Sequence, residues 1–244
     1  MSRFGLIGKN ISYSFSRKYF SEKFAAEGIA ATYENFDLQH IAQFPEILQK
    51  YDDLAGFNVT IPYKEAIMPF LDRLDTTAQE IGAVNTIKLE KNGSLTGHNT
   101  DYFGFLKALE PELEKQHQKA LILGTGGASK AVIYALKVLG IEPQLVSRTG
   151  SKNAILYTQL SEEIIEQHKL IINTTPLGTF PQVEECPAIP TRYLGNEHLV
   201  FDLIYNPSQT KLLQLAAAKG AKVQNGQNML ELQAQKAWQI WNEE

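Results

Sequence analysis

The chain has 244 residues with a formal net charge of −4, and 43% of its residues are hydrophobic. This length and composition predict a folded protein of more than one lobe, without signs of nucleic-acid binding or of a membrane-spanning segment. The single cysteine, Cys186, excludes an internal disulfide, and five scattered histidines give no reason to expect a metal. Because no charged-then-apolar leader precedes the first strand, we expect a cytoplasmic protein.

The first part of the chain is predicted to form an α/β lobe. Short apolar runs alternate with helical stretches and lie at residues 4–7, 33–36, 57–60 and 83–89. The Asn92-Gly93 pair suits the tight turn of a hairpin between residues 87–90 and 95–98. A helix over residues 100–109, ending before Pro111, then leads out of this lobe.

The second part alternates strand and helix, which predicts a doubly wound parallel sheet. The strands are expected at residues 120–124, 144–147, 170–174, 199–203 and 222–224, and a helix at 128–139. A final helix, starting near residue 228, carries an apolar stripe that we interpret as core packing: Leu230, Ala234, Ala237, Trp238 and Trp241.

A glycine-rich turn connects the strand at 120–124 to the helix that follows it. Gly124 suits the tight turn, while Gly126 and Gly127 allow backbone N–H groups to approach a pyrophosphate at the positive end of the helix. The third small position of the pattern is Ser129. Such a turn can also be purely structural, but the strand before it and the helix after it favour dinucleotide binding.

The next strand ends about 20 residues later, where the residue that selects the cofactor lies in such folds. The sequence from Ser147 to Lys152 has no carboxylate that could bind an adenosine ribose. Arg148 suits an adenine ring and a 2′-phosphate, and Lys152 adds a second positive charge, so NADP is predicted over NAD. The alternative interpretation is a solvated charged turn.

Polar side chains follow the apolar runs of the first lobe, at strand ends where open α/β sheets bind ligands. Ser14 and Ser16 offer hydroxyls to an anion or polyol, although Ser16 could instead cap the following helix. A strand ends at Thr60, and Pro62 predicts a helix whose first turn contains Lys64. A cation there opposes the helix dipole, so local structure does not account for it. Further strand or loop ends carry an amide and a carboxylate: Asn85 and Asp101.

Together these residues resemble the shikimate dehydrogenase family over nearly the whole chain. After Gly5-Leu-Ile-Gly8 and the two serines, the motifs follow in the family's order: Asn58-Val-Thr-Ile-Pro-Tyr-Lys64, Gly82-Ala-Val-Asn-Thr86, Gly97-His-Asn-Thr-Asp101, Gly124-Thr-Gly-Gly127, Asn173-Thr-Thr-Pro-Leu-Gly178, Asp202-Leu-Ile-Tyr-Asn-Pro207 and Met229-Leu-Glu-Leu-Gln233. The resemblance implies reversible, NADP-linked reduction of 3-dehydroshikimate to shikimate, a step toward the aromatic amino acids. It also implies a substrate-binding domain over residues 1–100, a Rossmann NADP-binding domain over 101–225, and a C-terminal helix over 226–244 that returns to the first domain.

The resemblance assigns roles to individual residues. The catalytic pair would be Lys64 and Asp101. Substrate would be held by that pair together with Ser14, Ser16, Asn58, Thr60, Asn85, Tyr205 and Gln233. The cofactor would be held by Gly124, Thr125, Gly126, Gly127, Ala128, Ser147, Arg148, Thr149, Lys152, Thr174, Pro176, Leu203 and Gly226.

Two alternatives remain open at this point. Quinate dehydrogenases of the same family often carry threonine at the second serine position, so Ser16 favours shikimate. A catalytically silent NADP-binding sensor would not need both Lys64 and Asp101.

Two departures, Ser147 for the family's asparagine and Lys152 for its common arginine, predict a weaker NADP preference. The partner is a small-molecule substrate, and the chain is expected to be a monomer or homodimer.

Overall fold

The computed structural model describes residues 1–12, 14–150 and 153–243. The chain divides into two compact units, one formed by Met1–Thr100 with Ala234–Glu244 and the other by Asp101–Gln233. Each unit contains a six-stranded sheet. The predicted fold class is confirmed: an α/β first lobe on which the end of the chain packs, and a Rossmann-type second lobe.

The first unit begins with the alternation expected from the sequence. Its elements are β1 (Ser2–Gly8), α1 (Phe15–Glu27), β2 (Ala31–Asp37), α2 (Phe44–Lys50), β3 (Leu54–Val59), β4 (Arg73–Leu74), α3 (Thr76–Ile81), β5 (Thr86–Leu89) and β6 (Leu95–His98). The order across the sheet is β2-β1-β3-β5-β6-β4. β1 pairs in parallel with β2 and β3, and β5 runs antiparallel to both β3 and β6. The predicted hairpin is therefore confirmed.

The strand predicted over 83–89 starts only at Thr86. Asn85 still bonds to both neighbouring strands, because its carbonyl accepts from the Val59 N–H at 2.8 Å and its N–H donates to the His98 carbonyl at 3.0 Å. The pattern stops at Val84, whose N–H donates to the Lys64 carbonyl outside the sheet at 2.7 Å. This short irregular segment turns the Asn85 side chain toward its own polar partners, described below.

The end of the chain completes the aromatic core of the first unit. Ala234, Ala237 and Trp241 are buried against Phe4 and Phe20, which confirms this part of the predicted stripe. The Trp241 indole also donates from Nε1 to the Ile87 carbonyl at 3.0 Å. A buried indole N–H needs such a partner. The bond therefore fixes the rotation of the helix about its own axis and its distance from β5.

The remaining elements lie in the second unit, except that the last of them ends in the first unit from Ala234 onward. They are α4 (Asp101–Leu109), β7 (Lys119–Leu123), α5 (Gly127–Val138), β8 (Glu142–Ser147), β9 (Ala154–Leu156), α6 (Glu162–Gln167), β10 (Leu170–Asn173), β11 (Leu199–Asp202), α7 (Lys211–Ala217), β12 (Lys222–Gln224) and α8 (Gln227–Asn242). All strand pairs are parallel, in the order β12-β11-β10-β7-β8-β9. Alternate residues of β7 belong to different apolar clusters, because the central strands are covered on both faces.

Two buried histidines of the second unit join loops through both ring nitrogens. His117 and His198 each accept at Nδ1 from a backbone N–H three residues earlier, at 2.9 and 3.0 Å. Their Nε2 atoms face the carbonyls of Glu197 and Ile165 at 3.3 and 3.1 Å. One accepting and one donating nitrogen require neutral imidazole, and burial lowers the pKa of both rings.

Among the described residues, no helix has both the length and the apolar character needed to cross a bilayer. In the same residues, no three side chains of the metal-binding types gather at one place.

Candidate active site

In the first unit, amide and hydroxyl side chains cluster at one end of the neighbouring strands β3, β5 and β6. Asn58 on β3 pairs with Thr86 on β5, and Thr86 pairs with His98 on β6. Asn85 and Thr100 flank these two strands. Asn58, Asn85, Thr86 and Thr100 are all buried, although they are polar, so each needs hydrogen-bond partners within the protein.

The partners form one connected network. Asn58 donates from Nδ2 to the Asn85 carbonyl at 3.3 Å and to Thr86 Oγ1 at 3.2 Å, while its Oδ1 accepts from the Tyr33 hydroxyl at 2.8 Å. Asn85 Oδ1 accepts from the Thr100 N–H at 2.6 Å. Both amides are therefore fixed in orientation before any ligand arrives. The structure brings together the predicted Asn58 and Asn85, whereas Tyr33, Thr86 and Thr100 were missed by the sequence analysis.

The two predicted serines have different local roles. Ser14 is the N-cap of α1, and its hydroxyl accepts from the Arg17 N–H at 3.3 Å. Capping by Ser16, the alternative raised from the sequence, is wrong, because Ser16 lies inside the first turn of the helix. Ser16 is buried as the second residue of α1 and does not start the helix.

Lys64 does not occupy the first turn of a helix, so that prediction is wrong. Residues 61–67 form successive turns, and only a short 3₁₀ helix, Met68–Phe70, follows. Lys64 is half-buried, and its carbonyl is held by the Val84 N–H. Thr60 is also half-buried, and its N–H donates to the Ile7 carbonyl at 2.8 Å. The helix-dipole argument therefore does not apply to Lys64. Lys64 does lie just beyond the carboxyl end of β3, as expected.

In the second unit, the glycine-rich turn has the geometry expected for a phosphate site. Gly124 has a φ of +109°, and a Cβ there would press on Thr174 Oγ1 at 2.9 Å. Gly126 is the N-cap of α5, and open space lies where its Cβ would be. Gly127 is the first residue of the helix. Thr125 and Ala128 complete the turn.

At the end of β8, Ser147 shapes the loop that carries Arg148. Ser147 Oγ accepts from the Thr149 N–H at 3.2 Å and donates to the Thr149 carbonyl at 2.8 Å. Arg148 is exposed between them. No carboxylate occurs from Ser147 to Gly150, and Lys152, the other predicted cation, lies outside the described residues. The described part of this loop therefore presents one guanidinium and no acid.

The loop after β10 is tied to its neighbours by side chains at the strand ends. Thr174 Oγ1 donates to the Leu123 carbonyl at 2.8 Å, which anchors the start of the predicted cofactor loop to β7. Asn173 Oδ1 accepts from Thr175 through both its N–H, at 3.0 Å, and its hydroxyl, at 2.7 Å. Pro176 follows within this anchored segment. Asn173 and Thr175, which had no role in the sequence analysis, thus set this loop together with Thr174.

Gly226 is required by a close backbone approach. A Cβ at this position would overlap the carbonyl group of Leu203, and the Gly226 N–H donates to the Ile204 carbonyl at 3.0 Å. The turn before α8 therefore lies directly on the segment after β11. Any side chain at residue 226 would push the two segments apart.

Three further predicted residues lie on two helices and a loop of the second unit. Asp101 is the first residue of α4 and is buried. Gln233 on α8 is also buried and donates to the Leu230 carbonyl at 3.1 Å. The two helices touch at Gly104, where a Cβ would overlap the Met229 carbonyl. Tyr205, in the loop after β11, is half-buried.

Comparison with known proteins gives a consistent result. The family model described as "Shikimate dehydrogenase substrate binding domain" matches residues 6–87. A protein of Caldicellulosiruptor bescii named shikimate dehydrogenase (NADP(+)) is 36% identical over 258 residues, covering 99% of this chain and 89% of that protein.

Solved structures agree. The shikimate 5-dehydrogenase of Thermus thermophilus, in complex with NADP(H) and shikimate, is 33% identical with a TM-score of 0.87, covering 99% of this chain and 94% of that one. A quinate dehydrogenase of Corynebacterium glutamicum in complex with NAD is 27% identical with a TM-score of 0.88, covering 99% and 93% of the two chains.

Proposed function

The chain belongs to the shikimate dehydrogenase family, and on that premise we propose that it reversibly reduces 3-dehydroshikimate to shikimate with NADPH. It is an NADP-dependent oxidoreductase. The observation that carries the choice of substrate is the buried network around Asn58 and Asn85. Amides that are already fixed in orientation suit a small ring that carries several hydroxyls. The entropy of ordering these side chains is lost during folding, so it does not weaken binding.

The residues of the second unit fit an NADP-type cofactor. The N-terminus of α5, with backbone N–H groups beside Gly126, would hold the pyrophosphate. Arg148 would pair with the 2′-phosphate, and Thr174 and Gly226 would border the nicotinamide end. When bound, NADP supplies or accepts the hydride. Lys152, whose structure is not described, is proposed as a second phosphate contact.

The chemistry requires an acid for the substrate oxygen. When the ketone carbon gains a hydride, negative charge develops on that oxygen and a proton must be delivered to it. We assign the proton to Lys64 Nζ and assign Asp101 to a hydrogen bond with the same oxygen. In the direction of oxidation Lys64 takes the proton back from the hydroxyl.

The remaining assignments concern binding. Ser14 and Ser16 would hold the substrate carboxylate with Tyr205, because hydroxyl groups donate well to an anion. The ring hydroxyls would be bound by the amide, hydroxyl and carboxylate side chains Asn58, Thr60, Asn85, Asp101 and Gln233.

The test is absorbance at the NADPH band after the purified protein is mixed with shikimate and NADP⁺. Parallel reactions replace NADP⁺ with NAD⁺, or shikimate with quinate. Reduction of NADP⁺ by shikimate well above the other pairs supports the proposal. Equal rates with quinate would establish dual specificity, and no reaction with NADPH still bound would indicate a sensor.

We also infer a cytoplasmic location, supported by the reaction's need for the reduced cofactor pool, and a monomer or homodimer. Cell fractionation and light scattering during size-exclusion chromatography test these two points. Residues 1–100 are proposed as the substrate domain, 101–225 as the NADP domain and 226–244 as the returning helix.

A further inference from the structure

Tyr33 lies beside a side chain that is proposed to bind substrate. It lies on β2 and is only 4% exposed. Its hydroxyl donates to Asn58 Oδ1 on β3 at 2.8 Å. The phenol therefore holds the amide of a residue proposed to bind the ring hydroxyls.

The direction of each hydrogen bond is fixed by the network. Asn58 Nδ2 faces the Asn85 carbonyl, which can only accept, so Asn58 Oδ1 must be the atom turned toward Tyr33. Tyr33 therefore donates its proton to Asn58. Burial raises the pKa of Tyr33, so the phenol keeps its proton under physiological conditions.

The ring of Tyr33 is held in place by aromatic neighbours. It stacks on Phe20 with 4.7 Å between ring centroids and 15° between planes, and the Trp241 ring lies 6.5 Å away. Packing alone would be met equally by phenylalanine, which carries no polar group that burial penalises. The hydroxyl is therefore best explained by its hydrogen bond to Asn58.

We propose that Tyr33 is a positioning residue that holds the Asn58 amide in one orientation for the ring hydroxyls of shikimate, an inference that rests on the proposed function. With Tyr33 in place, Asn58 Oδ1 and Nδ2 cannot exchange places, so the amide presents the same face to every ligand. The ring is then bound without reordering this side chain.

The experiment compares the wild type with Tyr33→Phe by titration calorimetry of shikimate into cofactor-free protein, together with steady-state kinetics. The substitution keeps the ring and removes the hydrogen bond to Asn58. We expect Kd and KM for shikimate to rise about tenfold, as expected for roughly one hydrogen bond to a ligand. KM for NADP⁺ should change by less than about twofold, since the cofactor residues belong to the other unit.

A matched control is Tyr63→Phe. Tyr63 is also buried in the first unit, and its hydroxyl donates to the Leu38 carbonyl at 2.7 Å. This variant loses a buried phenol hydrogen bond of the same kind that involves no proposed substrate residue. Its shikimate affinity should stay close to that of the wild type, and urea unfolding of both variants measures their losses of stability.

The outcomes separate the two proposals. An unchanged shikimate Kd in Tyr33→Phe, or an equal loss in Tyr63→Phe, overturns the role of Tyr33 while leaving the proposed function intact. A wild-type protein that neither binds shikimate nor reduces NADP⁺ with it overturns both. A selective loss of shikimate affinity in Tyr33→Phe supports the inference.

Discussion

Asn173 and Asp202 end neighbouring parallel strands, and Asn173 donates from Nδ2 to Asp202 Oδ1 at 3.0 Å. The same carboxylate accepts from the Ile204 N–H at 3.1 Å and from Thr210 Oγ1 at 2.6 Å. It is fully buried, and burial outweighs these bonds, which raises the pKa of Asp202 to about 6. The carboxylate thus joins β10, the segment before Tyr205 and the start of α7.

This pKa makes a prediction about stability and pH. Because the folded-state pKa lies above the unfolded value of 3.8, the folded state binds the proton more tightly. The contribution of Asp202 to the free energy of unfolding therefore falls as the pH rises from about 4 to about 6, by about 3 kcal/mol. Asp202→Asn keeps both acceptor bonds at Oδ1 and offers its amide to Thr210.

We expect Asp202→Asn to be at least as stable as the wild type at pH 7.5 and to lose the pH dependence between pH 4 and 6. Urea unfolding across that range measures both quantities. A variant that is less stable at pH 7.5 by more than about 1 kcal/mol would mean that the ionised carboxylate stabilises the fold.

The histidine pair predicts the opposite trend. His117 and His198 have pKa values lowered by burial, so the unfolded chain binds protons more readily than the folded one. Their contribution is fully present above about pH 6.5 and is lost as the pH falls below that value toward the folded pKa values. As the pH falls from 8 to 5, the free energy of unfolding should decrease less steeply in the double variant His117→Gln/His198→Gln than in the wild type. His40→Gln, at an exposed position, is the control and should keep the wild-type slope.

Arg148→Ala should separate the two nicotinamide cofactors. Loss of a charge-assisted bond to the 2′-phosphate should raise KM for NADP⁺ by about 10- to 100-fold and change KM for NAD⁺ little. Arg192→Ala serves as the control, because this exposed arginine of the same unit lies over the Tyr193 ring. An equal rise in KM for both cofactors would show that Arg148 does not bind the 2′-phosphate.

Lys64→Ala should lower kcat by about 100-fold or more, while KM for shikimate changes much less, since proton transfer contributes only in the transition state. Ser14→Ala should show the reverse pattern, with KM raised and kcat nearly unchanged. The two variants are compared in the same stopped-flow and steady-state assays. If kcat and KM of Lys64→Ala were affected equally, the acid would have to be another group.

The sequence predicted the central strands and the glycine turn well because these depend on local patterns. Apolar runs mark the strands, and Gly124 is required by its own φ angle. The motif residues Asn58 and Asn85 could be placed at strand ends for the same reason.

What could not be predicted depends on contacts distant in the chain. Tyr33 in an apolar strand is indistinguishable from a core aromatic until Asn58, 25 residues later, is seen beside it. The helix predicted around Lys64 is absent because the Lys64 carbonyl is taken by the Val84 N–H instead of a helical partner. Asp202 showed no sign of its shared role, since its partners come from three separate segments.

The position of Trp241 has a consequence for the order of folding during synthesis. The aromatic cluster of Phe4, Phe20 and Phe24 is closed by a tryptophan near the very end of the chain, while residues 101–233 form their own compact unit in between. On the ribosome, the second unit can be complete while the first still exposes an apolar face. The sheet of the first unit is thus made before residues 101–233 but gains its full core after them, and loss of Ala234–Glu244 would leave that sheet prone to aggregation.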